Sequence, residues 1–199
     1  MNIFNFQNLL LKTEKGLFVQ IGSNDGISND EYGLKNKLFN EEHIGILIEP
    51  VPDFYNLLKQ NYRNVKSKIY FEPIAITEED CIRDINVKGM DTSFVRGNIG
   101  PTLPVVCKNF DYIIEKYKIE KIDGLVLDTE GYEYNILNSI FSSKNVPIIN
   151  YIRYEFWWVK EKEELDNLLK KNNFLLFQDN NSYADKIAIN KTFFEKEFK

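Results

Sequence analysis

One histidine, His43, and two cysteines, Cys81 and Cys107, stand in a chain of 199 residues. A lone histidine nearly removes imidazole from the available general bases, and the cysteines lack the spacing of a metal or redox motif. Two cysteines in a chain this long point to a reducing compartment rather than a disulfide scaffold. Long hydrophobic runs are missing as well. The longest, "GILIEP" and "VPIIN", fall far short of the ~20 apolar residues that cross a bilayer. The N-terminal "MNIFNFQNLLLKTEKG" has no cationic start, no long apolar block and no small-residue cleavage site, so no signal peptide is expected and the cytoplasm is the expected compartment. There is no basic stripe either: net charge is −5 and the lysines are scattered, which weighs against nucleic acid as the main partner.

What is present suffices for a packed core, since 43% of residues are hydrophobic and 14% aromatic, the balance of a globule rather than a disordered chain. Short apolar runs alternate with segments of helical period. "GLFVQIG" (16–22), "HIGILIEP" (43–50), "KIYFEPIAI" (68–76), "IDGLVLD" (122–128) and "PIINYIRYEF" (147–156) read as buried strands. "FLLFQD" (174–179) and "KIAIN" (186–190) read as a hairpin linked by "NNSYAD". Apolar faces at Phe54, Leu57, Leu58 and Tyr62, at Phe110, Ile113, Ile114 and Tyr117, at Ile136, Leu137, Ile140 and Phe141, and at Leu165, Leu168 and Leu169 mark helices. Strands that are apolar throughout, alternating with helices, mean a parallel sheet covered on both faces. The expected fold is α/β: a Rossmann-like, doubly wound, seven-stranded, mostly parallel sheet with an antiparallel C-terminal hairpin. It forms one domain over residues 1–199, with residues 1–15 as an N-terminal helix. Residues 77–108 break the alternation and read as an inserted β-meander on the substrate side.

Ligands of open parallel sheets bind at the carboxyl ends of the strands, near the switch in strand order. The first strand carries Gln20 and ends in Gly22, Ser23, Asn24, Asp25 and Gly26. This is either a plain turn or a place where the backbone passes close to a ligand, with the N–H groups of a following helix suited to a carboxylate or a phosphate. The second strand ends in Glu49-Pro50, 27 residues after Gly22, where a carboxylate is placed to accept from two ribose hydroxyls. A dinucleotide would want glycine at the position of Asn24, so a nucleoside without phosphates fits better, and S-adenosyl-L-methionine is such a ligand. The fourth strand ends in "LDTEGYEYNIL", which crowds Asp128, Glu130 and Glu133 around Gly131. Glu133 has the alternative of simply favouring a helix N-terminus. The fifth adds Glu155, with Arg153 nearby and with Tyr154, Trp157 and Trp158 as rings for a sugar or as core.

Taken together, "FVQIGSNDG", "ILIEP", "EPIAI", "DTSF" and "IDGLVLDTEGYEYNIL … YIRYEF" resemble the FkbM-type methyltransferase family over about residues 16–158. The most specific piece is D-x-E-G-x-E, here Asp128, Glu130, Gly131 and Glu133. The resemblance implies the class I methyltransferase fold, S-adenosyl-L-methionine as methyl donor, and methylation of a hydroxyl oxygen, often on a sugar or a secondary-metabolite ring. It places Gly22, Asn24 and Gly26, with Ser23 between them, on the methionine part, and Glu49 with Pro50 on the ribose. Glu72, Ile74 and Ala75 then border the adenine, and Ser93 lies beside the site. Gln20 departs from the pattern, where many members carry an acid, so Asp25 or Asp128 would take over contact with the methionine amino group.

Methyl transfer from a sulfonium is an in-line displacement, so the protein aligns oxygen, methyl and sulfur and removes the hydroxyl proton. With His43 expected at the far end of the second strand, the base is a carboxylate: Asp128 first, then Glu130 or Glu155. Acceptor contacts are expected from Asp30, Thr92, Arg96, Tyr154 and Trp157, with Met90, Asp91 and Ser93 as further candidates for contact. Few basic residues surround this site, which favours a neutral sugar hydroxyl over a phosphorylated acceptor. A divalent metal on Asp128 and Glu155 is the alternative, not the preferred reading. Three rivals stand beside this: a metal-dependent nucleotide-sugar glycosyltransferase using Asp128 and Glu130, a non-catalytic glycan-binding module, and a nicotinamide oxidoreductase. The chain suits either a free-standing enzyme or one unit of a larger carbohydrate-modifying protein.

Overall fold

The structure, a computed structural model, describes residues 3–28, 34–89, 92–96 and 100–198. In chain order the elements are β1 (Ile3–Phe4), α1 (Phe6–Leu11), β2 (Leu17–Ile21), α2 (Leu34–Asn40), β3 (Ile44–Ile48), α3 (Pro52–Asn61), β4 (Lys68–Glu72), β5 (Ala75–Ile76), β6 (Cys81–Asn86) and β7 (Thr102–Lys108). They continue with α4 (Asp111–Tyr117), β8 (Lys121–Leu127), α5 (Glu133–Ser142), β9 (Ile148–Glu155), α6 (Lys162–Lys171), β10 (Phe174–Asp179), β11 (Asp185–Asn190) and α7 (Lys191–Phe198).

The main sheet has the order β1-β10-β11-β9-β8-β2-β3-β4. Its seven expected strands are there, parallel from β9 to β4, with β11 antiparallel to both β9 and β10; the two-residue β1 adds an eighth at the edge. Successive residues of a strand face opposite sides. Val19, Ile21, Leu125, Leu127 and Ile152 therefore pack with Ile113, Ile136 and Leu165 on one face. Phe18, Leu47, Val126 and Tyr151 pack with Phe6, Leu38 and Leu58 on the other. Burial on both faces is why these strands read as unbroken apolar runs, and each large side chain so buried contributes ~1.5–3 kcal/mol.

The run expected as one strand over 68–76 divides at Pro73, which has no N–H for a ladder. Lys68–Glu72 stays in the main sheet, while Ala75–Ile76 pairs parallel with β7. Within 77–108 the strands β6 and β7 form an antiparallel hairpin, and with β5 they make a second, three-stranded sheet. The helix expected after the first turn is α2, which starts at Leu34; α7 and the strand β1 were not foreseen, and the N-terminal helix is confined to Phe6–Leu11. His43 lies at the amino end of β3, buried, with Nδ1 accepting from the Gly16 N–H at 3.0 Å and Nε2 3.2 Å from Glu41 Oε2.

Candidate active site

Strand register decides which residues meet. Between β2, β3 and β8 the last pairs are Ile21↔Ile48 and Ile21↔Leu127, and between β8 and β9 the last pair is Leu127↔Tyr154. The next residue of each strand therefore falls in one row across the carboxyl ends: Glu49, Gly22, Asp128 and Glu155. The chain turns one way from β2 to β3 and the other way from β8 to β9, so this row crosses the switch in strand order, where open α/β sheets bind ligands.

A cleft enclosing about 1050 Å³, open mouth included, lies over the Glu49, Gly22 and Asp128 part of this row; Glu130 and Glu155 are not among its lining residues. Gln20, Gly22 to Gly26, Glu49, Pro50, Ile74, Ala75, Thr92 and Asp128 of the expected site residues line it. Phe54, Ile76, Phe94, Thr129 and Tyr132 line it too; these were missed, although Thr129 and Tyr132 sit inside the quoted acidic turn. The glycines of the first turn answer to the protein's own packing. At Gly22 (φ +80°) a Cβ would lie 1.8 Å from the Asp128 carbonyl oxygen, and at Gly26 (φ +73°) it would lie 2.5 Å from Leu58 and Tyr62. Among the described residues no helix N-terminus follows directly: residues 24–28 are turn and bend, and the next described helix starts at Leu34. The turn's N–H groups are also taken. Those of Gly22 and Ser23 go to the Ile48 carbonyl, that of Asn24 to Glu49, that of Asp25 to Asn24, that of Gly26 to the Ser23 carbonyl, and those of Ile27 and Ser28 to Asp25. A loop so closed does not offer the row of free donors that a phosphate needs.

Glu49 is buried, accepting from the Asn24 N–H at 2.8 Å and the Val51 N–H at 2.9 Å. Burial pushes its carboxyl up to about 7 against those two donors. Since a carboxylate has about four lone-pair positions, two directions remain for ligand hydroxyls.

The acidic turn is braced by Glu133. Its carboxylate, fully buried, accepts from the Thr129 N–H (2.7 Å), the Thr129 hydroxyl (2.8 Å) and the Gly131 N–H (3.0 Å), and burial still pushes it up to about 7. The braced turn holds Glu130 at φ +57°, a left-handed conformation that costs a non-glycine residue ~1–2 kcal/mol. That conformation brings Glu130 in with the two row acids: one carboxylate oxygen each from Asp128, Glu130 and Glu155 lies within 4.8 Å of the others. Burial first, then the charges of Glu130 and Glu133, push Asp128 up to about 7. Burial, then Glu130 and Asp128, push Glu155 up to about 9. Glu155 Oε2 is buried with no hydrogen-bond partner among the described residues. Three hard oxygen donors at this spacing could hold a divalent cation, or could hold and move a proton.

Residues 20–176 match the methyltransferase FkbM domain. The chain belongs to the FkbM methyltransferase family. Solved structures are similar to this chain at low identity, and the first of them agrees in fold. TrmK of M. capricolum, determined with the natural cofactor product S-adenosyl-homocysteine, is 13% identical over 94% of this chain and 67% of its own, with a TM-score of 0.51. The fibrillarin pre-rRNA processing protein of Methanococcus jannaschii is 12% identical over 89% and 67%, at 0.47, and a SAM-dependent methyltransferase of Methanosarcina mazei is 11% identical over 95% and 97%, at 0.43. No curated protein matches.

In this FkbM domain two expected contacts lie one residue below the rim. Glu72 and Tyr154 belong to the row of Ile48 and Leu127, one residue before the row of Glu49 and Asp128, and both are buried. Glu72 pairs there with Lys116 at 2.6 Å and accepts from Tyr117, and Tyr154 is wholly buried in the core. Neither lines the cleft. Ser93 is buried and works as a strap: its hydroxyl donates to the Glu130 carbonyl at 2.8 Å and accepts the N–H groups of Val95 and Arg96. Arg96 is 2.6 Å from Glu130 Oε2, with its guanidinium 4.0 Å from the Trp158 ring. Trp157 is half-exposed at the rim, edge-on to Tyr183 at 5.5 Å. Asp30, Met90 and Asp91 lie outside the described residues. No described helix is long and apolar enough to cross a membrane.

Proposed function

We propose that this FkbM domain transfers the methyl group of S-adenosylmethionine to a hydroxyl oxygen of a sugar. The observation that carries the reading is the meeting of Asp128, Glu130 and Glu155 beside the cleft that Glu49 and the Gly22 turn border. S-adenosylmethionine supplies an electrophilic methyl on sulfur. Glu49 would accept from the ribose hydroxyls through its two free directions, and Phe54, Ile74, Ala75 and Ile76, which line the cleft, would flank the adenine. Gln20, Asn24 and Asp25, which also line the cleft, would hold the methionine end. Asp128 would take the proton from the acceptor hydroxyl as the methyl passes from sulfur to oxygen, the sulfur–methyl bond breaking to leave the neutral thioether, with Glu155 in its protonated form and Glu130 held by Arg96. Among the described residues the cleft lining includes no lysine, arginine or histidine, which suits an uncharged acceptor. The exposed rings of Trp157 and Tyr183 offer an apolar face for the C–H side of a sugar.

Calorimetric titration tests the donor site. S-adenosylmethionine should bind the parent protein, and Glu49→Ala should weaken it ~10–100-fold, since hydrogen bonds to a charged group contribute ~1.5–3 kcal/mol. Equal affinity in the variant refutes the assignment of Glu49. A second reading rests on the same three acids, whose oxygens suit a hard divalent cation. Methyl transfer that survives exhaustive chelation removes it. Binding of a glycan without turnover would instead support the non-catalytic module.

A further inference from the structure

The two cysteines, 26 residues apart in sequence, stand directly opposite each other in the hairpin: Cys81 is registered with Cys107 across β6 and β7. Directly opposed residues of an antiparallel pair share a face and have Cα atoms about 4.5–5.5 Å apart. A disulfide spans Cα separations of about 4.4–6.8 Å. Both side chains belong to the small apolar cluster under the second sheet, with Ala75, Ile85 and Val105. Cys107 is buried and Cys81 partly exposed, so one thiol meets solvent and the other waits behind it. Both are free thiols in this structure.

We propose that Cys81 and Cys107 are a thiol–disulfide exchange site that takes a low-molecular-weight disulfide and closes to a reversible cross-strand bond. The Cys81 thiolate attacks one sulfur of the disulfide RSSR, forming a protein mixed disulfide and releasing RS⁻. Cys107 then gives up its proton and displaces the second RS⁻ from Cys81. The protein loses two hydrogens and is oxidised; RSSR is reduced to two RSH. The order follows from the burial: burial, with Cys81 beside it, pushes the Cys107 thiol up to about 11, leaving Cys81 as the first nucleophile.

The place matters to the cleft. Two residues beyond Cys81 on the same face, Arg83 donates to the Tyr132 hydroxyl at 2.9 Å and its guanidinium lies 4.9 Å from the Phe94 ring. Ile85, Phe94 and Tyr132 all line the cleft. At the far end of β6, Asn86 bridges Ser93, which straps the Glu130 turn. A bond between Cys81 and Cys107 therefore fastens the base of the hairpin whose other end reaches the acids.

Purified protein is equilibrated with glutathione over a range of oxidised-to-reduced ratios, quenched by alkylation under denaturing conditions, and analysed by intact mass and peptide mapping. Cys81→Ser and Cys107→Ser are run alongside, with circular dichroism to show that each is folded. The parent is expected to lose two hydrogens, yield a crosslinked 81–107 peptide pair, and regain both thiols in dithiothreitol. Cys107→Ser should stop at glutathione on Cys81, and Cys81→Ser should take up markedly less. Two free thiols in the parent under excess oxidised glutathione, or glutathione adducts with no 81–107 crosslink, would overturn the proposal.

Discussion

Asparagine in place of Asp128 keeps the size of the side chain and its seat at the rim but removes the proton acceptor. The magnitude follows from the surroundings. Burial is the larger cause of the raised acids, and the neighbours add to it: one oxygen of each lies within 4.8 Å of the others, and two full charges at that limit repel by ~3.5 kcal/mol at an effective dielectric of about 20, equal to ~2.5 pH units. With Asp128 raised to about 7 and Glu155 to about 9, Glu155 holds its proton at neutral pH while Asp128 titrates. A positioned base supplies ~10²–10⁴-fold, or ~2.7–5.5 kcal/mol of barrier. Asp128→Asn should therefore lower single-turnover methyl transfer by ~10²–10⁴-fold and abolish the limb that rises with pH through about 7. Glu155→Gln exchanges one neutral group for another and should leave the neutral-pH rate near the parent's. The assay is transfer of labelled methyl to an accepted glycoside, with donor affinity measured in parallel to show that the cleft is intact. A near-parental rate in Asp128→Asn refutes the assignment. An equal loss in both variants, relieved by added magnesium, would move the chemistry to the cation reading.

Two further outcomes concern stability. Glu133→Ala removes the brace of the acidic turn and leaves the Thr129 and Gly131 N–H groups unmet at ~1–3 kcal/mol each, so the thermal midpoint should fall by ~2–4 °C per kcal/mol lost; an unchanged midpoint would show that the turn holds itself. Between pH 5 and pH 9 the midpoint should fall: Glu49, Asp128 and Glu133 are raised to about 7 and Glu155 to about 9, so the stability tied to their neutral forms is complete below their unfolded values and lost as pH rises through the folded ones. Glu155→Gln should flatten the upper part of that fall, and a midpoint that is level or rising over this range contradicts buried, neutral acids.

The strands of this fold were legible because burial on both faces writes them as unbroken apolar runs, as in "IDGLVLD", and the acids of the rim could be read as whatever follows each run. Register could not be read. Glu72 was placed by the resemblance and Tyr154 as a ring for a sugar, yet each stands one residue before the rim and is buried. The same blindness hid the cysteine pair, which has no motif spacing and meets only through the ladder of β6 and β7. Glu133 was legible as an acid at a helix start, but its reach back to Thr129 and Gly131 depends on the turn's shape. The divided third strand had its signal in Pro73, a residue that a central ladder does not tolerate.

Because Glu49, Gly22, Asp128 and Glu155 are lined up by four neighbouring strands, the site is indexed in whole peptide units. Loops can lengthen or shorten on the far side of the sheet without moving the acids. Deleting one residue inside β8 does something else: if the ladder keeps its pairs, Thr129 arrives at the rim and Asp128 turns into the core. Change in this part of the molecule is therefore quantised, and the chemistry passes from one strand-end residue to the next with no intermediate position.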